Sequence, residues 1–288
     1  MVRDRLRRAI ETAAVTLADS GVDSARTDAE LLAAHVLGVE RGRLSFTDAP
    51  DGFFDRYDDA VSARAGRTPL QHITGTAPFG PLLLEVGPGV FIPRPETEAL
   101  LEWALAQDLP SEAVILDVCT GSGALAVALA TLRPGTAVTG VDKDPTALGY
   151  ARRNAGATGA RMLQGDVTDA RLLADLAGTV DLVVANPPYV PSGTEVEPEV
   201  AEHDPAHAVF GGADGMAVIV PLVARAADWL KSGGLLAVEH DDSTSALTAE
   251  TMCATGCFDE VTAHSDLAGR PRFVTARRRT RIGEGQHA

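Results

Sequence analysis

Four consecutive residues, Asn186-Pro187-Pro188-Tyr189, end a short apolar run over 182–185. A run that short and rich in β-branched residues reads as a buried parallel strand. Pro187 lacks an N–H and fixes its φ, so the strand stops, and Asn186 is pushed toward an extended conformation. The product is a stiff loop that holds a carboxamide and a phenol at a strand's carboxyl end, where open α/β sheets bind ligands. Most Asn-Pro pairs are ordinary turns, so the weight lies upstream. Asp117-Val118-Cys119-Thr120-Gly121-Ser122-Gly123 follows a buried run over 114–116 and precedes an apolar helix over 124–132. Its glycines let backbone approach a ligand at a helix N-terminus. Gly121, Gly123 and Ala126 also fit a dinucleotide fingerprint. Asp117 favours another ligand, because an acid at a strand end suits an ammonium and sits awkwardly beside a pyrophosphate. Asp142 ends a further run about twenty residues past the glycines, where a ribose-binding carboxylate is expected. Asp166 follows the run over 161–164 and suits either an adenine amino group or the capping of its own loop.

These groups need strands and helices to hold them. Strands are expected over 114–116, 137–141, 161–164, 182–185, 235–239, 258–263 and 272–276. Asp144-Pro145 reads as the start of a helix between the second and third. A helix over 216–230 and a Lys231-Ser-Gly-Gly turn should lead into the fifth. Upstream, Leu6, Ile10, Ala13 and Leu17 share one helical face. Thr27 and Glu30 have capping-box spacing before Leu31, Leu32, Val36 and Leu37, and Gly38 is a stop signal. Phe54, Tyr57 and Val61 mark a third helix ending near Gly66. A hairpin is expected over 82–91, then a helix opened by Pro95, Glu96 and Glu98. The domain plan is a helical domain over 1–78, a linking β-hairpin over 79–92, a catalytic domain over 93–278 and a disordered tail over 279–288.

Composition narrows the class. At 288 residues and 45% hydrophobic content, the chain describes a soluble globular protein of one large or two smaller domains. A formal charge of -15 argues against a large electrostatic footprint on nucleic acid, so no direct nucleic-acid partner is expected. The arginines at 3, 5, 7 and 8 read as a solvated helix face. No run approaches a membrane span and the first residues lack a signal-peptide core, so the expectation is a cytoplasmic protein with no membrane partner. Cys119, Cys253 and Cys257 have no neighbouring His or further Cys, so no metal site and no disulfide framework are expected.

Asn-Pro-Pro-Tyr resembles the signature of S-adenosylmethionine-dependent methyltransferases that act on a planar nitrogen. The order strand–DxxTGSG–helix, strand–Asp, strand–Gly-Asp, strand–NPPY looks like their Rossmann-like fold, a seven-stranded mostly parallel sheet, here with a small N-terminal helical domain. RTPLQHITG, PGVFIPRPETE, DVCTGSGALAVALA, VANPPYV and HDPAHAVFGGADG together resemble the bacterial peptide chain release factor glutamine N5-methyltransferase family. The likeness runs from Leu6 to Arg278, strongest between Arg67 and Gly215. Enzymes that methylate a ribosomal-protein glutamine share NPPY but differ after Ile-Pro-Arg. The resemblance implies that Asn186 and the Pro187 carbonyl orient the target amide while Pro188 and Tyr189 shape the loop. It implies cofactor positions at Asp117, Thr120, Gly121, Gly123, Asp142 and Asp166, with Asn186 close to both ligands. Phe91 would wall the glutamine slot, with Arg94, Glu96 and Glu98 shaping it. The cofactor would be S-adenosylmethionine, and the partner a release factor whose Gly-Gly-Gln loop enters the cleft while the helical domain helps dock it. Two departures stand out. Cys119 replaces a common glycine, a small-for-small change expected to be harmless, and Glu239-His240-Asp241-Asp242-Ser243 replaces Glu-x-Gly-x-x-Gln, which puts the local loop shape in question. The rivals are an adenine-N6 methyltransferase, which would need base flipping and an electropositive groove, and a cofactor-binding regulator with a vestigial site.

Overall fold

The computed structural model describes residues 2–156, 158–266 and 268–280. The chain opens with α1 (Val2–Asp19), α2 (Ala25–Leu37), α3 (Phe53–Ala65) and the short α4 (Leu70–Thr74). A hairpin of β1 (Thr76–Phe79) and β2 (Leu82–Glu85) follows, then α5 (Thr97–Leu105). Strands and helices then alternate as β3 (Val114–Val118), α6 (Ala124–Leu132), β4 (Ala137–Asp142), α7 (Pro145–Ala155), β5 (Arg161–Gln164) and β6 (Val180–Ala185). Beyond them lie α8 (Pro198–His203), α9 (Ala206–Val209), α10 (Ile219–Trp229) and β7 (Leu230–Glu239). The described chain closes with α11 (Ser245–Ala254), β8 (Phe258–Ser265) and β9 (Pro271–Arg278). Of the tail expected over 279–288, residues 281–288 lie outside the described residues.

Two compact units result. The first joins Met1–Thr76 with the later segment Val196–His203; the second holds Ala77–Glu195 and Asp204–Ala288. In the first, Leu6, Ile10, Ala13 and Leu17 bury one face of α1 against Leu32, Phe53 and Tyr57. Gly38 ends α2 at φ 67°, a left-handed stop. The Thr27–Glu30 capping box does not form, because α2 already begins at Ala25 and Thr27 lies inside its first turn. The Ser24 hydroxyl instead bonds Asp28 at 2.7 Å. Arg64 joins Asp28 at 2.7 Å and Glu199 at 2.8 Å, and Arg67 takes the other Glu199 oxygen at 2.5 Å. A glutamate from far along the chain thus completes the helical unit.

In the second unit, seven described strands form one sheet in the order β5-β4-β3-β6-β7-β9-β8. All run parallel up to β7, and β9 is antiparallel to both its neighbours. Alternate residues feed opposite cores. Ile115, Leu182, Val184 and Ala237 pack with α5, α6 and α7 on one face. Leu116, Val183, Ala185 and Val238 pack with α10 and α11 on the other. The strand order reverses between β3 and β6, the switch point at which such sheets bind ligands. Val118 pairs with Ala185 there, so the glycine loop and Asn186 leave the sheet side by side.

Two elements depart from expectation. The hairpin occupies 76–85 rather than 82–91, since Gly87-Pro88-Gly89 forms a turn where Pro88 has no ladder donor to offer. Lys231-Ser-Gly-Gly is part of β7 rather than a turn, and the register slips between Val180 and Leu182 to accommodate it. Lys231 pairs with Asp181.

Arg64→Ala should leave the Asp28 carboxylate buried and uncompensated. The expected loss is about 3 kcal/mol for the helical unit, the usual consequence of removing one partner of a buried pair. Chemical denaturation followed in that unit measures it, and an unchanged midpoint would contradict the role given to Arg64.

Candidate active site

The glycine loop is tied down from both ends. Thr120 Oγ1 and the Ala126 N–H donate to Asp117 Oδ2 at 2.5 and 2.9 Å, and the Thr120 N–H donates to the Val141 carbonyl at 3.0 Å. Asp142 accepts from the N–H groups of Gly121 at 2.8 Å and Asp144 at 2.9 Å. Gly121 has φ 56°, and a Cβ there would meet nothing within 4 Å, so the loop presents bare backbone to open space. Asp117 Oδ1 is buried with no hydrogen-bond partner. Burial is the main reason Asp117 rises to about 7, and it also lifts Asp142. Asp166 accepts from the Thr168 N–H and hydroxyl, which hold its pKa below the ordinary value. Of its two sequence readings, the loop cap is present, and the preceding Gly165 N–H bonds the Asp142 carbonyl at 2.9 Å.

Cys119 corrects an expectation. Its φ is 61°, so the position asks for a left-handed backbone and not merely a small side chain. The exchange of glycine for cysteine is therefore conformational. Burial raises its thiol pKa well above the ordinary value.

Beyond β6 the Asn-Pro-Pro-Tyr loop is clamped. Pro187 and Pro188 are buried, while Asn186 and Tyr189 are half-buried. Val190 makes an isolated parallel bridge with Phe210, its N–H reaching the Val209 carbonyl at 3.0 Å and its carbonyl the Gly211 N–H at 2.9 Å. Gly215 has φ 78°, and a Cβ there would collide with the Tyr189 carbonyl oxygen. The segment 210–215 therefore needs its glycines to lie against the loop. Asn186 Nδ2 donates to Thr97 Oγ1 at 3.0 Å. The Tyr189 hydroxyl donates to Glu239 Oε1 at 2.9 Å, and burial raises its pKa. Glu239, fully buried at the end of β7, is pushed up to about 7 by desolvation against the pull of Thr97, Tyr189 and Arg272. Asp241 caps the turn after it, accepting from Ser243 N–H at 3.0 Å, so the departure at 239–243 has a defined shape.

The expected residues thus fall into groups. Asp117, Thr120, Gly121, Gly123, Asp142, Asn186, Pro187, Pro188 and Tyr189 gather at the adjoining carboxyl ends of β3, β4 and β6, with Asp166 one strand further out. Arg94 lies 4.9 Å over the Phe91 ring and pairs with the buried Asp204 at 2.5 Å, so its charge is already engaged. Glu96 faces Glu239 and Arg272 electrostatically. Sequence reasoning missed Thr97, Glu239, Arg272 and Asp204. Thr97 lies within the IPRPETE segment, and Glu239 ends a strand just as Asp142 does, a signal that was available.

A Rossmann-like sheet with a glycine loop and a clamped Asn-Pro-Pro-Tyr at its switch point defines a methyltransferase. The solved structure of a methyltransferase from Pyrococcus furiosus shares the fold, with a TM-score of 0.51 at 18% identity, over 68% of this chain and 89% of that one. Residues 95–252 match the methyltransferase small domain model and residues 8–75 the PrmC N-terminal domain model. The chain belongs to the release factor glutamine methyltransferase family. A relative of that name from Mycolicibacterium smegmatis is 63% identical over 275 residues, spanning 95% of this chain and 98% of its own length. Another from Mycobacterium tuberculosis is 58% identical over 278 residues, covering 95% and 91%. A 4-amino-L-phenylalanine/4-methylamino-L-phenylalanine methyltransferase from Streptomyces pristinaespiralis is 39% identical over 260 residues, covering 87% and 88%.

Two measurements follow from the buried groups. Asp117 and Glu239 titrate higher folded than unfolded, so the folded chain holds protons that the unfolded chain releases between about pH 4 and 7. Their contribution is fully present below that window and lost as pH rises through it. Melting temperature should fall across it, and Glu239→Gln should flatten the fall; parallel curves for both proteins would refute the assignment. Separately, Cys119→Gly should stabilise the protein by about 0.5–1 kcal/mol, the relief of a left-handed residue less the entropy of glycine. A lower melting temperature would count against that reading.

Proposed function

We propose that the chain transfers a methyl group from S-adenosylmethionine to the side-chain amide nitrogen of the glutamine in the Gly-Gly-Gln loop of peptide chain release factors, in the cytoplasm. The observation that carries this reading is the Asn186 carboxamide, clamped at the exit of β6 beside a glycine loop that leaves β3. The donor set suits the cofactor. Gly121 offers bare backbone, Asp142 stands at the strand end expected for ribose, and Gly123 and Thr120 set the loop. The buried orphan oxygen of Asp117 is the kind of group that an ammonium satisfies. Asp166 is assigned the adenine edge. When bound, S-adenosylmethionine supplies an electrophilic methyl on a sulfonium.

The chain's own residues do the rest by positioning. An amide nitrogen is a poor nucleophile because its lone pair is delocalised into the carbonyl. Asn186 Oδ1 and the Pro187 carbonyl accept its two N–H hydrogens, which orients the nitrogen and raises its electron density. Tyr189 serves as a strut and not as a base, since its hydroxyl is committed to Glu239 and burial raises its pKa; the N-protonated amide formed by methylation is acidic enough to lose its extra proton to water. Phe91, backed by Arg94, walls the slot, and the loop rests on Pro188. The helical unit, which matches the PrmC N-terminal domain model, is assigned to docking the release factor.

The test is methyl transfer from labelled cofactor to purified release factor, followed by mapping of the modified residue. Label on the Gly-Gly-Gln glutamine is expected. Label on DNA, RNA, a ribosomal protein or an aromatic amine instead would overturn the proposal. Asn186→Ala should lower turnover by about a hundredfold or more, the scale for losing a preorganised electrostatic contact, while cofactor affinity measured by calorimetry stays within a few-fold. Near-normal turnover in that variant would refute the mechanism.

A further inference from the structure

Residues 204–210 take no part in the chemistry assigned above, yet they are anchored at three points around the cleft. At their start, the buried Asp204 carboxylate pairs with Arg94 at 2.5 Å, and Arg94 lies over the Phe91 ring. At their end, the Val209 carbonyl accepts from the Val190 N–H at 3.0 Å, directly after the Asn-Pro-Pro-Tyr loop. Between these anchors, in the short α9, His207 Nε2 stands 2.9 Å from Asp144 Oδ2. Asp144 is not an isolated surface acid. Its other oxygen caps α7, accepting from the Thr146 N–H at 2.7 Å. Its own N–H donates to Asp142 Oδ1 at 2.9 Å, and Asp142 Oδ2 takes the Gly121 N–H at 2.8 Å. An unbroken run of contacts thus joins the glycine loop, the acid at the end of β4, and His207. The anchors at Asp144 and Val190 stand past β4 and past β6. β3 lies between those strands, and its loop is where Gly121 presents bare backbone to open space.

We infer that residues 204–210 form a strap across the mouth of the cofactor site, and that His207 is its latch, a positioning residue that slows the cofactor's departure. His207 acts through Asp144 and leaves the reacting atoms to Asn186 and Pro187. The inference rests on the proposed function in taking S-adenosylmethionine as the occupant of this edge. It adds a route, in which the cofactor and its demethylated product leave when the His207–Asp144 contact breaks. His207 keeps 46% of its side-chain surface exposed. A rim pair of that kind is weak, which suits a contact that has to open at every turnover.

The experiment uses the full-length chain with S-adenosylmethionine and, separately, S-adenosylhomocysteine. It follows release of each by surface plasmon resonance, with melting temperature and amide hydrogen exchange measured on the ligand-free chain. His207→Ala should release either ligand about three- to fivefold faster, the scale of a rim pair, with association nearly unchanged. His207→Gln places a donor where Nε2 stands and should restore slow release, whereas the shorter His207→Asn should not. Asp144→Ser keeps the α7 cap but falls short of His207, so it should release as fast as His207→Ala. The double variant should be no faster than the faster single one, because both open the same latch. In ligand-free His207→Ala, the Val190 and Gly211 amides should exchange faster while the β6 amides and the melting temperature hold. A merely structural histidine would lower the melting temperature and leave the Gln and Asn variants alike. The inference is overturned if His207→Ala releases ligand no faster than the wild type, if His207→Asn is as slow as His207→Gln, or if the effects of the double variant multiply. Should Asp144→Ser not fold, the histidine series decides alone. A wild type that binds neither ligand overturns this inference and the proposed cofactor together. Missing label on the glutamine overturns the functional proposal alone, since no release factor enters this measurement.

Discussion

A parallel sheet covered on both faces leaves little room for polar groups along its strands. Every residue of β6 is buried, and the inner strands beside it send alternate side chains into two apolar cores. Groups that meet a ligand are confined to the carboxyl edge, where the ladder ends and loops begin. Asp117, Asp142, Asn186 and Glu239 all stand there, each on or just past a different strand. The edge is nevertheless close enough to the cores to be dehydrated, which is why two of its acids titrate near neutrality. Binding capacity and perturbed ionisation have one origin.

The Asn-Pro-Pro-Tyr loop inherits its rigidity from three directions. The prolines end the strand, Tyr189 braces against the end of β7, and the 210–215 segment lies along the loop's backbone. The last two supports come from chain far beyond the loop. A flexible carboxamide would lose orientation that the reaction requires, and positioning within fractions of an ångström carries much of the rate in such chemistry.

The strand-and-acid pattern was legible from sequence because burial and chain termination are local signals. Apolar runs ended by Asp142 or by Asn186-Pro187 announce both the element and its edge, and Gly121 announces backbone approach. What escaped was relational. Thr97 had no role in the expected helix start, and nothing local says that its hydroxyl meets a carboxamide 89 residues later. Glu239 was read as the end of the fifth strand and as part of a departure in loop pattern, but was given no role, although its place at a strand end matched the other acids. The hairpin was misplaced because the apolar residues near 90 look like a returning strand, whereas Gly87-Pro88-Gly89 turns the chain before a ladder can form. Cys119 was misjudged because side-chain volume is visible in sequence and the sign of φ is not.

The helical unit borrows Glu199 from a segment that the chain reaches only after four strands of the catalytic sheet. During synthesis, its four N-terminal helices emerge long before that glutamate, so Arg64 and Arg67 wait with their ion pairs incomplete. The helical unit is therefore finished late, only once Glu199 has been made, and domains that ordinarily fold as they emerge here mature out of order. The same threading means that no single cut releases an intact helical unit. A protease or a gene boundary placed near residue 76 would separate the arginines from the carboxylate that satisfies them.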